Sequence, residues 1–410
     1  MKTKVYFNIP VHKISWNRQF LGKKMAMAGL TKSSKCVPKF GKIANFRVIS
    51  QSYSVNTVQN LDVELIETAE KVEKGVPFLF LPHTVKKAYN VKSGVTTSLP
   101  QVFDKYKWLT KTLSSPNIPE DILSNNESNF DEFKLLLHDS LAQTTAFQKT
   151  PKNKDDKRFR QERMVNGIFS NFLRLSMVKN NSKAHLKPGN FYLLNKTQLE
   201  SHWVRNYKFY QTQIRPTYTL KTQNPLAIIE EPNEIHPLDI ERIPGPFDPY
   251  AMNLYRHPVV HLTSRPALDN SRYSQYHHCH TSIAINNRLR TDEQIYSLGM
   301  FTMFAQLSAQ AQANGVLQGT NLDQPLVTQC IVSNGHLISF MMYQLNTLNM
   351  LTDKGVWNRC WYTPSIGMFE QNNEASHGRI YEEALPQDIL EGFSDDLPKH
   401  FHAFIGNETV

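Results

Sequence analysis

Glycine is scarce in this sequence and cysteine nearly absent. Seventeen glycines in 410 residues is about 4%, against an average near 7%. No two glycines stand one residue apart, which excludes the Gly-x-Gly fingerprint of dinucleotide folds, and no pair has the spacing of a P-loop. Neither Gly-x-Ser-x-Gly nor His-Glu-x-x-His occurs, so the common serine-hydrolase and zinc-protease sites are missing too. The four cysteines, Cys36, Cys279, Cys330 and Cys360, lie far apart with no Cys-x-x-Cys. They form no disulfide framework, and a reducing compartment is expected. No apolar run approaches the roughly 18 residues of a membrane-spanning helix. With 40% hydrophobic residues, including 23 Phe and 16 Tyr, the chain can still build a sizeable core.

Acid is the other absence. Residues 1–61 contain eleven Lys and Arg and no Asp or Glu; Asp62 is the first acid. Removing those eleven from the total of 46 leaves 35 basic residues against 36 acidic ones. The body is therefore neutral, and the arm carries the whole surplus behind the net charge of +10. An acid-free, Ser-containing basic arm reads as an organelle-targeting segment. It reads equally as a tail that neutralises nucleic-acid phosphates, with Lys23, Lys24, Lys35, Lys39 and Lys42 as candidate contacts. A solvated tail is the bland alternative. The expected division is an arm over 1–61 and a body over 62–410.

The body reads as α+β, with mixed helices and a sheet. Phe133, Leu137 and Leu141 recur every four residues, which predicts a helix over 129–147 behind a capping box of Ser128 and Asp131. A charged break over Lys149–Arg163 follows. Met164, Ile168, Phe172 and Leu175, with Val165, Phe169 and Leu173 one step round, then predict a core helix. A third helix spans 291–314, capped by Thr291 and Gln294, with Met300, Phe304, Leu307 and Ala311 as its stripe and Gly315 as its left-handed cap. Asn334-Gly335, between two apolar runs, predicts a type I′ hairpin pairing Val332 with Leu337, Ile331 with Ile338 and Cys330 with Ser339. In its second strand Leu337, Met341, Tyr343 and Leu345 share one face, and Ile338, Phe340 and Met342 the other. Helix 291–314 can cover one face. The second is expected to meet a partner protein, with Phe340, Met342, Gln344 and Asn346 as candidate interface residues. Nine of the 22 prolines fall in 216–266. That stretch is expected to wrap a surface and to contain neither a central strand nor a regular helix.

Two groups carry candidate chemistry. His257, His261, Cys279 and His280 are possible metal ligands, but Pro258 breaks the helix that would align the first two and no second Cys is close. No metal or other cofactor is assigned. Between Ser201 and Ile229 there is no acid, and aromatics alternate with cations. Trp203, Tyr207, Arg205, Lys208 and Arg215 are the candidate RNA contacts there, rings for bases and cations for phosphates.

At the hairpin the sequence resembles a known family. Gln324-Pro325-Leu326-Val327, Asn334-Gly335 and Tyr343-Gln344-Leu345-Asn346-Thr347 resemble the mitochondrial large ribosomal subunit protein thirty-seven family. Its sister is protein thirty, also called programmed cell death protein nine. Gly355-Val356-Trp357-Asn358-Arg359-Cys360-Trp361, Trp108-Leu109-Thr110-Lys111-Thr112, Gln143-Thr144-Thr145 and the helix bearing Ala305, Ser308, Ala309 and Gln310 extend the resemblance in patches over 105–365. The resemblance implies a non-enzymatic structural component of the mitochondrial ribosome's large subunit, in the matrix. Its implied partners are ribosomal RNA and other subunit proteins, the sister above all, and the arm is then a transit peptide. Two alternatives stand beside it. One is a metal-dependent mitochondrial enzyme built on the four His and Cys residues. The other is a mitochondrial RNA-binding factor outside the ribosome.

Overall fold

The computed structural model describes residues 87–92, 99–123, 130–146, 154–232, 244–259, 264–267, 275–368 and 393–409. All belong to one compact unit, Leu65–Val410. The basic arm, with Lys23, Lys24, Lys35, Lys39 and Lys42, lies outside the described residues, as do Ser128 and His261. In chain order the elements are β1 (Lys87–Lys92), α1 (Val102–Leu109), β2 (Thr112–Ser115), α2 (Glu120–Leu123), α3 (Phe130–Ala146), α4 (Lys154–Lys179), β3 (Phe191–Asn195), β4 (Leu199–Arg205), β5 (Lys208–Ile214) and β6 (Tyr218–Thr222). They continue with β7 (Arg256–Pro258), β8 (His278–Ile285), α5 (Asp292–Ala313), β9 (Asn321–Ser333), β10 (Leu337–Thr347), β11 (Asn358–Tyr362), β12 (Ile366–Gly367) and α6 (Asp396–Gly406). The fold is α+β. A large mixed sheet runs β2-β11-β10-β9-β8-β6-β3, with β12 added to β10, and a second sheet runs β4-β5-β1-β7.

Helix α5 lies between the two sheets, packed on β8, β9 and β10 on one side and β4 on the other. Its start is local chemistry: the Thr291 hydroxyl accepts from the Gln294 backbone N–H, and the Gln294 side chain accepts from the Thr291 N–H. Its burial is not local. Nearly every residue from Gln294 to Ala311 is buried, so the expected four-residue stripe is too narrow. A helix covered on all sides has no wet face to pattern. Gly299 allows the close approach, since a Cβ there would stand 2.4 Å from both Val332 Cγ2 and Met341 Sδ.

The other face of the large sheet is covered by α3, α4 and α6. Ile331, Ile338, Phe340 and Met342 share a core with Phe133, Leu137, Phe169, Phe172, Phe401 and Phe404. Phe340 meets Phe404 at 5.1 Å and Phe401 edge-on at 5.8 Å between ring centroids. The two faces of β10 are thus assigned as the alternation predicts, but the second cover is the chain itself. Gln344 is fully buried, accepts from the N–H groups of Ile229 (2.9 Å) and Glu230 (3.2 Å), and donates to the Glu230 carbonyl and to Asn346 Oδ1. Asn346 donates to the Trp357 carbonyl at 2.9 Å. Phe340, Met342, Gln344 and Asn346 are therefore internal, not a partner interface.

Three other expectations are corrected. Strands β9 and β10 pair antiparallel, but Ser333 pairs with Ile338, Val332 with Ser339 and Ile331 with Phe340. Asn334 Oδ1 accepts from the His336 and Leu337 N–H groups, and only Gly335 of the pair is left-handed, at φ 97°. The connection is longer than a type I′ turn; the register moves by two residues, so the faces stay the same. The two-residue left-handed turn lies instead at Asn206 and Tyr207, φ 46° and 60°, between β4 and β5. The charged break was too long, because α4 already begins at Lys154. Finally, β6 is an interior strand inside the proline-rich stretch, between β3 and β8. Pro216 and Pro225 flank it without interrupting its ladder. Pro258 sits on the edge strand β7, where a missing donor is tolerated.

Candidate nucleic-acid interface

The aromatic and basic candidates of 201–229 separate into a buried set and an exposed set. Trp203 is fully buried, stacked on Tyr210 at 5.7 Å, and its indole N–H donates to the Leu109 carbonyl. Arg205 is 1% exposed. Its Nε donates to the Trp108 carbonyl at 2.8 Å, its Nη1 to that of Met350 at 3.2 Å, and its Nη2 pairs with Asp353. Burial pulls its pKa down, opposed by Asp353. Neither side chain can reach RNA. Arg205 lies over Trp108 at 4.7 Å, and beside it Lys111 donates to the carbonyls of Asn349 (2.8 Å) and Lys354 (2.7 Å). Burial, then Arg205, lowers the Lys111 pKa to about 7. Arg205 on β4 thus ties the 348–357 loop to the second sheet, and Trp108 and Lys111, which carry part of the family resemblance, pack against that tie.

Tyr207, Lys208 and Arg215 do reach solvent. Tyr207 is half-buried in the left-handed turn. Lys208 is paired with Asp248 at 3.3 Å. Arg215 is exposed, and its Nη2 donates to Gln198 Oε1 at 3.0 Å.

The possible metal ligands are not brought together. His257 is exposed on β7 in the second sheet, while Cys279 and His280 are buried on β8. Both His280 nitrogens are engaged: Nε2 donates to the Asn407 carbonyl at 2.9 Å, and Nδ1 accepts from the Thr281 hydroxyl at 2.7 Å. Burial lowers the His280 pKa to about 3, so the ring is neutral. Cys279 is a buried thiol whose pKa burial raises. Among the described residues no group of three or more His, Cys, Asp or Glu could hold a metal ion.

Charge decides among the remaining surfaces. From Met164 to Ile229 the only acid is Glu200, and its carboxylate is held by Gln198, Gln213 and, at 3.9 Å, Arg265. That stretch builds the β3 edge of the large sheet, where the C-terminal Glu408 also comes in and pairs with Lys183 at 2.8 Å, leaving Lys187 and Lys196 as its further cations. Tyr192 on β3 is 40% exposed, and its ring lies 13° from parallel with Tyr276 at 6.0 Å. The Tyr276 hydroxyl donates to the Gly189 carbonyl at 2.8 Å. Lys187 and Lys196 are exposed on either side of the strand. The Lys196 N–H donates to the Thr217 carbonyl at 3.0 Å, which sets the β3–β4 turn beside the turn carrying Arg215.

Two competing surfaces are less basic. Tyr250 and Tyr255 are 62% and 55% exposed, and Arg256 lies over Tyr89 at 5.2 Å. They adjoin Asp248 and follow the acidic run of Glu230, Glu231, Glu234, Asp239 and Glu241. A groove of about 360 Å³ beside β2 is lined by Lys107 and Arg359. Asp104 at 2.5 Å and Glu230 at 3.5 Å neutralise those two cations. The sequence reading missed the β3 edge because it began the acid-free tract at Ser201. A longer window bridging Glu200 would have found Lys187, Tyr192 and Lys196.

Comparison with known proteins falls on this same part of the chain. The family model described as Mitochondrial 28S ribosomal protein S30 (PDCD9) matches residues 178–407. Large ribosomal subunit protein mL37 of Gallus gallus is 23% identical over 276 residues, covering 64% of this chain and 62% of the relative. The match therefore spans less than two thirds of that relative's length. The family match takes in β3 to β12, both helices α5 and α6, and the whole acid-poor edge. More than half of the sequence is covered in this way, and the chain belongs to the mitochondrial ribosomal protein S30 (PDCD9) family.

Proposed function

We propose that this chain is a structural component of the large subunit of the mitochondrial ribosome, and that the β3 edge faces ribosomal RNA. The role is architectural rather than catalytic. The observation that carries it is the coincidence of an acid-poor, Lys- and Tyr-bearing sheet edge with a ribosomal protein family match. Phosphates dominate affinity for RNA, and cations unopposed by carboxylates are what recognise them. The arm 1–61 serves as a mitochondrial targeting segment, and whatever part is retained adds phosphate contacts. A protein neighbour, the sister family member, finds apolar surface on α3 and α4, where Leu135, Leu136 and Phe159 are exposed. The face bearing Phe340 is closed to it.

The family description names the 28S subunit, whereas the Gallus gallus relative is named for the large one. Sedimentation of the tagged full chain from mitochondrial lysate separates the two. Co-migration with the large subunit supports this function. A peak with the small subunit overturns the subunit assignment, and a free peak overturns the ribosomal role.

A further inference from the structure

We infer that Tyr192 and Tyr276 form a stacking platform for an unpaired RNA base, with Lys187 and Lys196 on the flanking phosphates. This rests on the proposed function and names the form of RNA that the β3 edge takes. The two rings are stacked near parallel, so the exposed side of Tyr192, 40% open to solvent, is the surface a base would stack on. They are also held in place before any ligand arrives. Tyr192 is fixed by the β3–β6 ladder, paired with Lys221, and Tyr276 is tethered by its hydroxyl to the Gly189 carbonyl. Preorganised rings lose little entropy on stacking.

Unpaired nucleotides expose base faces that aromatic side chains can stack on, whereas bases inside an A-form duplex are covered by their neighbours. Duplex RNA is recognised instead through its 2′-hydroxyls and phosphates, which require no tyrosine pair. A protein partner is disfavoured by composition, since the centres of protein interfaces are depleted in lysine. Here exposed Lys187 and Lys196 precede and follow β3, and Lys221, directly opposite Tyr192 in the ladder, is a buried lysine beside it.

The test uses the purified full chain, a fluorescent single-stranded oligoadenylate and the same strand paired with oligouridylate. Binding is measured at raised salt, which weakens the phosphate contacts of any basic arm while leaving stacking. The wild type is expected to prefer the single strand. Tyr192→Ala should weaken single-strand binding about tenfold and leave duplex binding unchanged, while Tyr192→Phe binds like wild type. Unchanged melting temperatures show that the variants fold. Equal binding of Tyr192→Ala and wild type, a duplex preference, or no RNA binding overturns the inference. So does a Tyr192→Ala variant that keeps RNA binding but loses subunit proteins on purification. If the platform fails while the chain still sediments with the large subunit, the proposed function stands without it. A chain that sediments free removes the basis of both.

Discussion

Tyr192 and Lys221 stand opposite each other in the β3–β6 ladder, yet the tyrosine is 40% exposed and the lysine 1%. The Lys221 amine has no hydrogen-bond partner among the described residues. Burial lowers its pKa from 10.5 to about 8. The folded amine therefore loses its proton near 8 and the unfolded one near 10.5. Between those values the unfolded chain binds more protons, so stability rises with pH across that window and the penalty is complete below it.

Lys221→Met is expected to stabilise the protein at neutral pH, by about 1–3 kcal/mol, because it removes an unpaired buried charge. It should also flatten the rise of up to about 1.4 kcal/mol per pH unit that the wild type shows above pH ~8. Urea unfolding of both proteins at several alkaline pH values measures this.

Helix α6 ends in carbonyls that need donors, and the body supplies them. Asn180 donates to His402, Gln329 to Phe404, His185 to Ile405 and His280 to Asn407, at 2.9–3.2 Å. The His280 pKa is lowered to about 3, chiefly by burial, so acid protonates the unfolded chain first and stability falls as pH drops from 6.5 towards 3. His280→Phe should lose about 1–2 kcal/mol at neutral pH, from the orphaned Asn407 carbonyl. It should also show a shallower loss between pH ~6 and pH ~4. Denaturation followed against pH separates the two effects.

Gly299→Ala places a Cβ against Val332 and Met341. Val332 is branched and stiff, so α5 must move away from β9. The expected cost is about 1–3 kcal/mol, read as a lowered melting temperature with secondary structure retained.

Gln344→Leu leaves the Ile229 and Glu230 N–H groups without their acceptor. The expected loss is about 1–3 kcal/mol of folding stability. Co-purification of subunit proteins should be unchanged once the variant is folded. Partner loss without destabilisation would show that β10 does reach a neighbour.

Local chemistry was legible in the sequence. The Thr291–Gln294 cap needs only residues three apart, and the two faces of β10 follow from alternation. What was hidden depends on distant chain. Trp203 and Arg205 look like RNA contacts in their own segment, but Phe301, Phe304, Trp108 and Asp353 cover them. The hairpin register differs because Asn334 closes a longer turn, its side chain accepting from the His336 and Leu337 N–H groups while its own N–H donates to the Leu337 carbonyl. The left-handed pair went instead to Asn206 and Tyr207, where the bulk of tyrosine gives no hint of positive φ. Tyr276 could not be matched to Tyr192 from sequence, because β8 reaches β3 only through β6.

The claim that the β3 edge faces ribosomal RNA is tested most directly by a photoreactive side chain at Lys196 in the assembled, gradient-purified subunit. Irradiation should attach the chain to large-subunit ribosomal RNA. The same probe at exposed Leu135 on α3 should attach it to protein. Cross-links from position 196 to protein alone, with none to RNA, would contradict the account.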